Sequence, residues 1–257
     1  MKSELSKKKM EIRTQRILIW IGILFGTIYT ASWIGVVGFF PPPPANLEPA
    51  QVVAIYSQNN LQLRIGAAIM VLAGAFFLPW AVVISVQISR HEKGIPVWAI
   101  TQGLAGVLQT WLLAFPPVVW VVCAFSVERA PELTLLMHEL AFITYVTPAS
   151  YFPFNMIPIA AICFLPKPQG IATAFPRWLG YLTFFSLVSG EFGVAAQLFK
   201  VGPFSWNGLI SFWLPTILYG TWLTVMVFSL LRTLKHQERA GQSVPAVSPI
   251  STRKATV

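Results

Sequence analysis

The dominant pattern along the chain is the long apolar stretch. A helix rising 1.5 Å per residue needs roughly 20 mostly apolar residues to cross a hydrocarbon layer about 30 Å thick. Six stretches meet that length: Ile17–Phe40, Leu61–Ser89, Val97–Phe125, Leu133–Leu165, Trp178–Phe199 and Asn207–Leu231. They predict an all-α fold, a polytopic membrane helical bundle of six transmembrane helices with both termini on one side. Several exceed a simple crossing and are expected to tilt or to extend past the headgroups. Residues 1–16 read as a basic tail and 17–235 as the membrane domain, with an external loop at 41–60. Residues 236–257 read as a disordered tail, because Ala240 to Val257 is small, polar and broken by proline.

Composition supports the same frame. The chain is 55% hydrophobic and 11% charged, against about 25% charged in soluble domains, which excludes a soluble monomer. The net charge of +9 would suggest nucleic acid if the basic residues formed one patch, but they follow the loops instead. Fifteen of the 18 Lys and Arg residues fall in the two tails, the second-to-third loop and the fourth-to-fifth loop, and only Arg64, Arg129 and Lys200 on the other side. The positive-inside rule therefore makes the tails cytoplasmic and the protein a multi-pass component of the inner (plasma) membrane. The lipid bilayer is the expected partner, and nucleic acid is not. The first stretch runs into Phe39, Phe40 and four prolines rather than a small-residue cleavage site, so it reads as a retained helix.

Between the first two stretches, Pro41 to Pro44 predict a stiff polyproline exit. Glu48-Pro49 then opens a short helix through Ser57, whose Val52, Val53, Ile55 and Tyr56 form an apolar side. Trp98 and Trp178 are expected at one membrane interface and Trp120 and Trp206 at the other. Trp33, Trp80, Trp111, Trp213 and Trp222 are expected to pack within the bundle. Gly22 and Gly26, Gly103 and Gly106, and Gly190 and Gly193 are expected to let helices approach closely. Cys123 and Cys163 lie near opposite ends of neighbouring spans, too far apart to pair.

Few ionisable residues fall inside the apolar stretches: Arg64, His138, Glu139 and Glu191. Helix rise places Arg64 about 5 Å, Glu139 about 9 Å and Glu191 about 13 Å from the outer ends. Intramembrane charges face a partner or a wet cavity. Arg64 is therefore expected to pair with Glu139 or Glu191 in an outward-opening polar pocket with His138, or to fix helix register only. In the fourth stretch Pro148, Pro153 and Pro158 argue against a straight helix, and Thr144, Tyr151 and Asn155 share one side. Polar stripes at Gln102 and Gln109, and at Ser186, Gly190, Gly193 and Gln197, are expected to face inward. Binding residues expected from the sequence are Arg64, His138, Glu139, Asn155 and Glu191. All nine acids are Glu; with two intramembrane Glu and one His, no di-iron or two-histidine haem site can be assembled, and no cofactor or metal is expected.

The chain resembles an uncharacterised group of six-span bacterial membrane proteins of similar length. The resemblance rests on Phe39-Phe40-Pro41-Pro42, Asn60 with Arg64-Ile65-Gly66, Phe77-Leu78-Pro79 followed by Gln87, Arg90 and Glu92, and Pro131-Glu132-Leu133. It continues with Phe175-Pro176-Arg177-Trp178-Leu179-Gly180-Tyr181 and Gly202-Pro203-Phe204 leading to Trp206-Asn207-Gly208. It implies the six-span architecture and transfers no site, since the group has no assigned activity. Three readings of function remain. One is binding or movement of a small lipophilic or weakly polar solute. The second is an accessory or scaffold subunit, with a membrane-protein partner or a homo-oligomer. The third is a lipid-acting enzyme using His138 and Glu139 as an acid/base pair.

Overall fold

The computed structural model describes residues 2–147, 151–167 and 172–242. It is 81% helix, with no strand among the described residues. Nine helices are used below: α1 (Lys2–Ser32), α2 (Pro49–Gln58), α3 (Asn60–Ala73), α4 (Phe77–Ser89), α5 (Val97–Phe125), α6 (Pro131–Val146), α7 (Tyr151–Phe164), α8 (Arg177–Glu191) and α9 (Leu214–Gln242). Six segments are long and apolar enough to cross a membrane: Lys9–Val37, Asn60–Ser89, Val97–Phe125, Pro131–Phe164, Arg177–Gln197 and Leu209–Ala240. Their order around the bundle follows the chain. α1 packs on α3 and α4, these on α5, α5 on α6 and α7, α7 on α8, and α8 on α9, which returns to α1. The six spans thus form a closed ring.

The two ends of the ring differ in chemistry. The end carrying the termini is closed by buried glutamines: Gln87 donates to Gln15 at 2.7 Å and Gln237 donates to Gln87 at 3.0 Å, joining three spans. Arg16 and Glu238 pair beside them at 2.6 Å. The opposite end is closed by rings. Phe39, Tyr56, Trp120, Phe142, His138 and Trp206 form one aromatic cluster, and the Trp206 indole donates to the Pro43 carbonyl at 2.7 Å. Trp120 and Trp206, expected at the interface, are therefore buried at 0% and 2% exposure, while Trp111, expected to pack inside, is exposed. Trp98 and Trp178 are exposed.

Local sequence explains the departures from straight helix. α2 starts with Glu48 and Gln51 satisfying each other's backbone groups and Pro49 in the first turn; Val52 and Tyr56 are buried, with α6 against the helix. In the fourth span α6 ends at Val146, where Thr147 leaves helical geometry, and α7 is described from Tyr151. Pro153 occupies the first turn of α7, where the missing N–H is harmless, whereas Pro158 lies inside it. Pro148 lies outside the described residues. Short π-helical turns at Trp33–Val37 and Leu209–Trp213 widen the ends of the first and last spans.

The glycine notches are filled from within the chain. A Cβ on Gly26 would meet Phe76 at 3.2 Å, one on Gly106 would meet Ala81 at 2.5 Å, and Gly22 abuts Trp80. Cys123 and Cys163 are both free and buried. α9 continues to Gln242, beyond the end of the membrane domain read from sequence at 235; Ser243 to Val257 lie outside the described residues.

Candidate functional site

The five residues singled out by sequence do not assemble into one site. Arg64 lies over the Phe125 ring at 5.0 Å and pairs with neither acid. Glu139 is taken by Lys200 at 2.7 Å. The expected Arg64–Glu139 or Arg64–Glu191 pair is therefore absent. Depth along an axis does not fix direction around it, and consecutive helix positions diverge by about 100°.

His138 is fully buried, its Nδ1 2.8 Å from the Tyr56 hydroxyl, which ties α2 to α6. Outside the spans, burial raises the Tyr56 hydroxyl pKa well above its ordinary value. His138 and Glu139 thus serve different neighbours and share no acid/base site. Asn155 accepts from Gln102 at 3.2 Å, and Gln102 accepts from Ser85 at 2.6 Å, so this stripe joins the second, third and fourth spans. Gln102, Gln109 and Ser186 are buried as expected, whereas Gln197 is exposed. Glu191 is partly buried, with one carboxyl oxygen lacking a partner.

None of these five residues lines the apolar cavity enclosed by the spans, which has a volume of about 330 Å³. It sits at the centre of the ring and takes residues from all six spans, among them Trp33, Phe76, Gln109, Tyr145, Ser186 and Tyr219. Among the described residues, no lining residue is an acid, a lysine, an arginine or a histidine. The exposed lining residues are Thr30 and Ile34 on the first span and Gly220 on α9. The exposed part of the lining therefore lies on the side of the ring, between the first and last spans.

This portal is framed at both ends. The Arg16–Glu238 pair joins α1 to α9 at the terminal end, and Trp33, Phe40, Phe212 and Trp213 join the two spans at the other, with Trp33 and Phe40 centroids 4.9 Å apart and Phe40 and Phe212 5.8 Å apart. Both π turns fall in this second frame. Between the frames, a Cβ on Gly220 would meet nothing within 4 Å.

The wall contains polar groups held in apolar surroundings. Tyr29 donates to the Leu113 carbonyl at 2.9 Å. Pro117, inside α5, supplies no N–H to that carbonyl four residues earlier, so the tyrosine takes the place of the missing donor. The Trp33 indole nitrogen, the Gln109 side-chain oxygen and the Tyr219 hydroxyl are buried without hydrogen-bond partners. Sequence reasoning marked Gln109, Ser186 and Gly190 as inward polar positions and Trp33 as packing within the bundle, but missed Tyr29 and Tyr219. The signal that could have found Tyr29 is the Pro116-Pro117 pair, which frees two carbonyls and calls for donors on a facing helix; nothing comparable in the sequence marks Tyr219. In comparison with known proteins, the chain matches no family model, no curated protein and no solved structure.

Proposed function

We propose that the chain is an integral membrane protein that binds a small, uncharged, lipophilic molecule bearing one weakly polar group, taken up sideways from the bilayer between α1 and α9. The observation that carries this reading is the central cavity, whose lining has no charged side chain and whose exposed residues all lie on the first and last spans. A volume of about 330 Å³ is at the small end of ligand pockets, which run from roughly 300 to 1,000 Å³. It suits a compact molecule or the head of a longer chain. The Trp33 N–H and Tyr219 hydroxyl can donate and the Gln109 oxygen can accept after small side-chain rotations. Their unmet hydrogen bonds favour a hydroxyl- or carbonyl-bearing ligand over a pure hydrocarbon, at about 1–3 kcal/mol for each buried group satisfied.

The same reading places the termini in the cytoplasm and the bundle in the inner membrane, supported by the 15 to 3 division of Lys and Arg. The test is a thermal-shift series on the purified chain, comparing a long-chain alcohol, the matching carboxylate at high pH and the matching alkane. The alcohol is expected to raise Tm most, by linkage to the folded state. Gly220→Trp, which fills the portal, should remove that rise without lowering the unliganded Tm. Equal rises for all three compounds, unaffected by Gly220→Trp, would contradict the reading.

A further inference from the structure

A second depression lies at the terminal end of the bundle, separate from the central cavity. It is bounded by Ala172, Thr173, Pro176 and Trp178 on one side and by one face of α9 on the other. The α9 residues are Val225, Phe228, Ser229, Arg232, Thr233, His236 and Ala240, recurring at three- and four-residue steps. The chemistry changes along this face. Val225 and Phe228 make the deeper part apolar, with Trp178 exposed beside them. About 10 Å further on, at 1.5 Å per residue, Arg232 and His236 make it basic.

We propose that this groove binds one anionic phospholipid, its phosphate against Arg232 and His236 and its acyl chain along Val225 and Phe228. Arg232 and His236 are both exposed, and among the described residues neither has an ion-pair or hydrogen-bond partner. The acid on this stretch of α9, Glu238, is already held by Arg16. Arg177, between the lining residues Pro176 and Trp178, adds positive charge nearby. The start of α8, where Pro176 and Trp178 line the groove, has no side-chain cap, so its first N–H groups add to the attraction for an anion. The groove floor is fixed: Ser229 donates to the Ala174 carbonyl at 2.6 Å, and Thr173 is bonded to His91 at 3.0 Å. A basic recess with an apolar extension at a bundle end has the charge and shape of a phospholipid, not of a free anion.

Native mass spectrometry of the full chain, titrated with equal amounts of dioleoyl phosphatidylglycerol and dioleoyl phosphatidylcholine, tests this. One phosphatidylglycerol is expected to be retained in preference, and Arg232→Gln should lower its affinity about five-fold, the scale of one basic contact at a membrane surface. Lys235→Gln, which removes an equal charge outside the groove, should leave the preference intact, and millimolar inorganic phosphate should not displace the lipid. Retention of the preference in Arg232→Gln, equal losses in both variants, or displacement by phosphate alone would each overturn the proposal. Both substitutions are at exposed positions, and an unchanged Tm for each confirms that the comparison is between folded proteins.

Discussion

The Tyr29 hydroxyl lies 2.9 Å from the Leu113 carbonyl, the acceptor that Pro117 leaves without its helical donor. A side chain on the first span thereby repairs a defect in the third, at the wall of the central cavity. Tyr29→Phe should cost about 1–3 kcal/mol, because the buried carbonyl loses its partner. In a Pro117→Ala background, where the backbone donor returns, the same substitution should cost less than half as much. A double-mutant cycle in detergent, read by thermal unfolding, checks the coupling.

Charge exchange separates the observed ion pair from the one the sequence suggested. Lys200 is 70% exposed, so Lys200→Ala should cost less than about 0.5 kcal/mol. Glu139→Lys should be rescued in part by Lys200→Glu and not by Arg64→Glu. Relative Tm values of the single and double variants decide it.

The bundle should also lose stability in mild acid through His91, which lies outside the spans. Burial lowers its pKa from the ordinary 6.5, helped by nearby Lys167 and Arg90 and opposed by its bond to the Gln87 carbonyl. A histidine with a depressed pKa is more protonated unfolded than folded between the two values, so stability rises with pH across that window. Its contribution is fully present above pH 6.5 and is lost as pH falls toward the lower folded value. His91→Gln should flatten that part of the Tm profile.

Glycines beside the cavity should differ sharply in tolerance. A Cβ at Gly190 would meet Phe152 at 2.5 Å, while one at Gly220 would meet nothing within 4 Å. Gly190→Ala should therefore cost about 1–3 kcal/mol by forcing the Phe152 ring, a lining residue, out of place. Gly220→Ala should be neutral or slightly stabilising. Unfolding temperatures of the two variants provide the check.

The spans were legible because hydrophobic length leaves few alternatives in lipid, but the prolines of the fourth were misleading, since Pro153 and Pro158 lie within α7 rather than interrupting it. The arrangement around each axis was not legible. Trp120 and Trp206 sit near span ends, as their positions implied, yet turn inward to the Phe39 and Phe142 rings. Arg64 and Glu139 face different neighbours, Phe125 and Lys200. The central cavity left no motif, because it is the space between six helices displaced by two π turns and a proline pair. Only the inward polar positions Gln109, Ser186 and Gly190 hinted at it.

The central claim, a cavity that takes an uncharged lipophile from the side, is tested most directly by photolabelling in nanodiscs with a diazirine-bearing long-chain alcohol, mapped by mass spectrometry. Adducts should concentrate on Trp33, Tyr145 and Tyr219, be competed by the unlabelled alcohol, and disappear in Gly220→Trp. Adducts confined to exposed residues such as Leu72 and Leu104, equally strong in Gly220→Trp, would contradict the account.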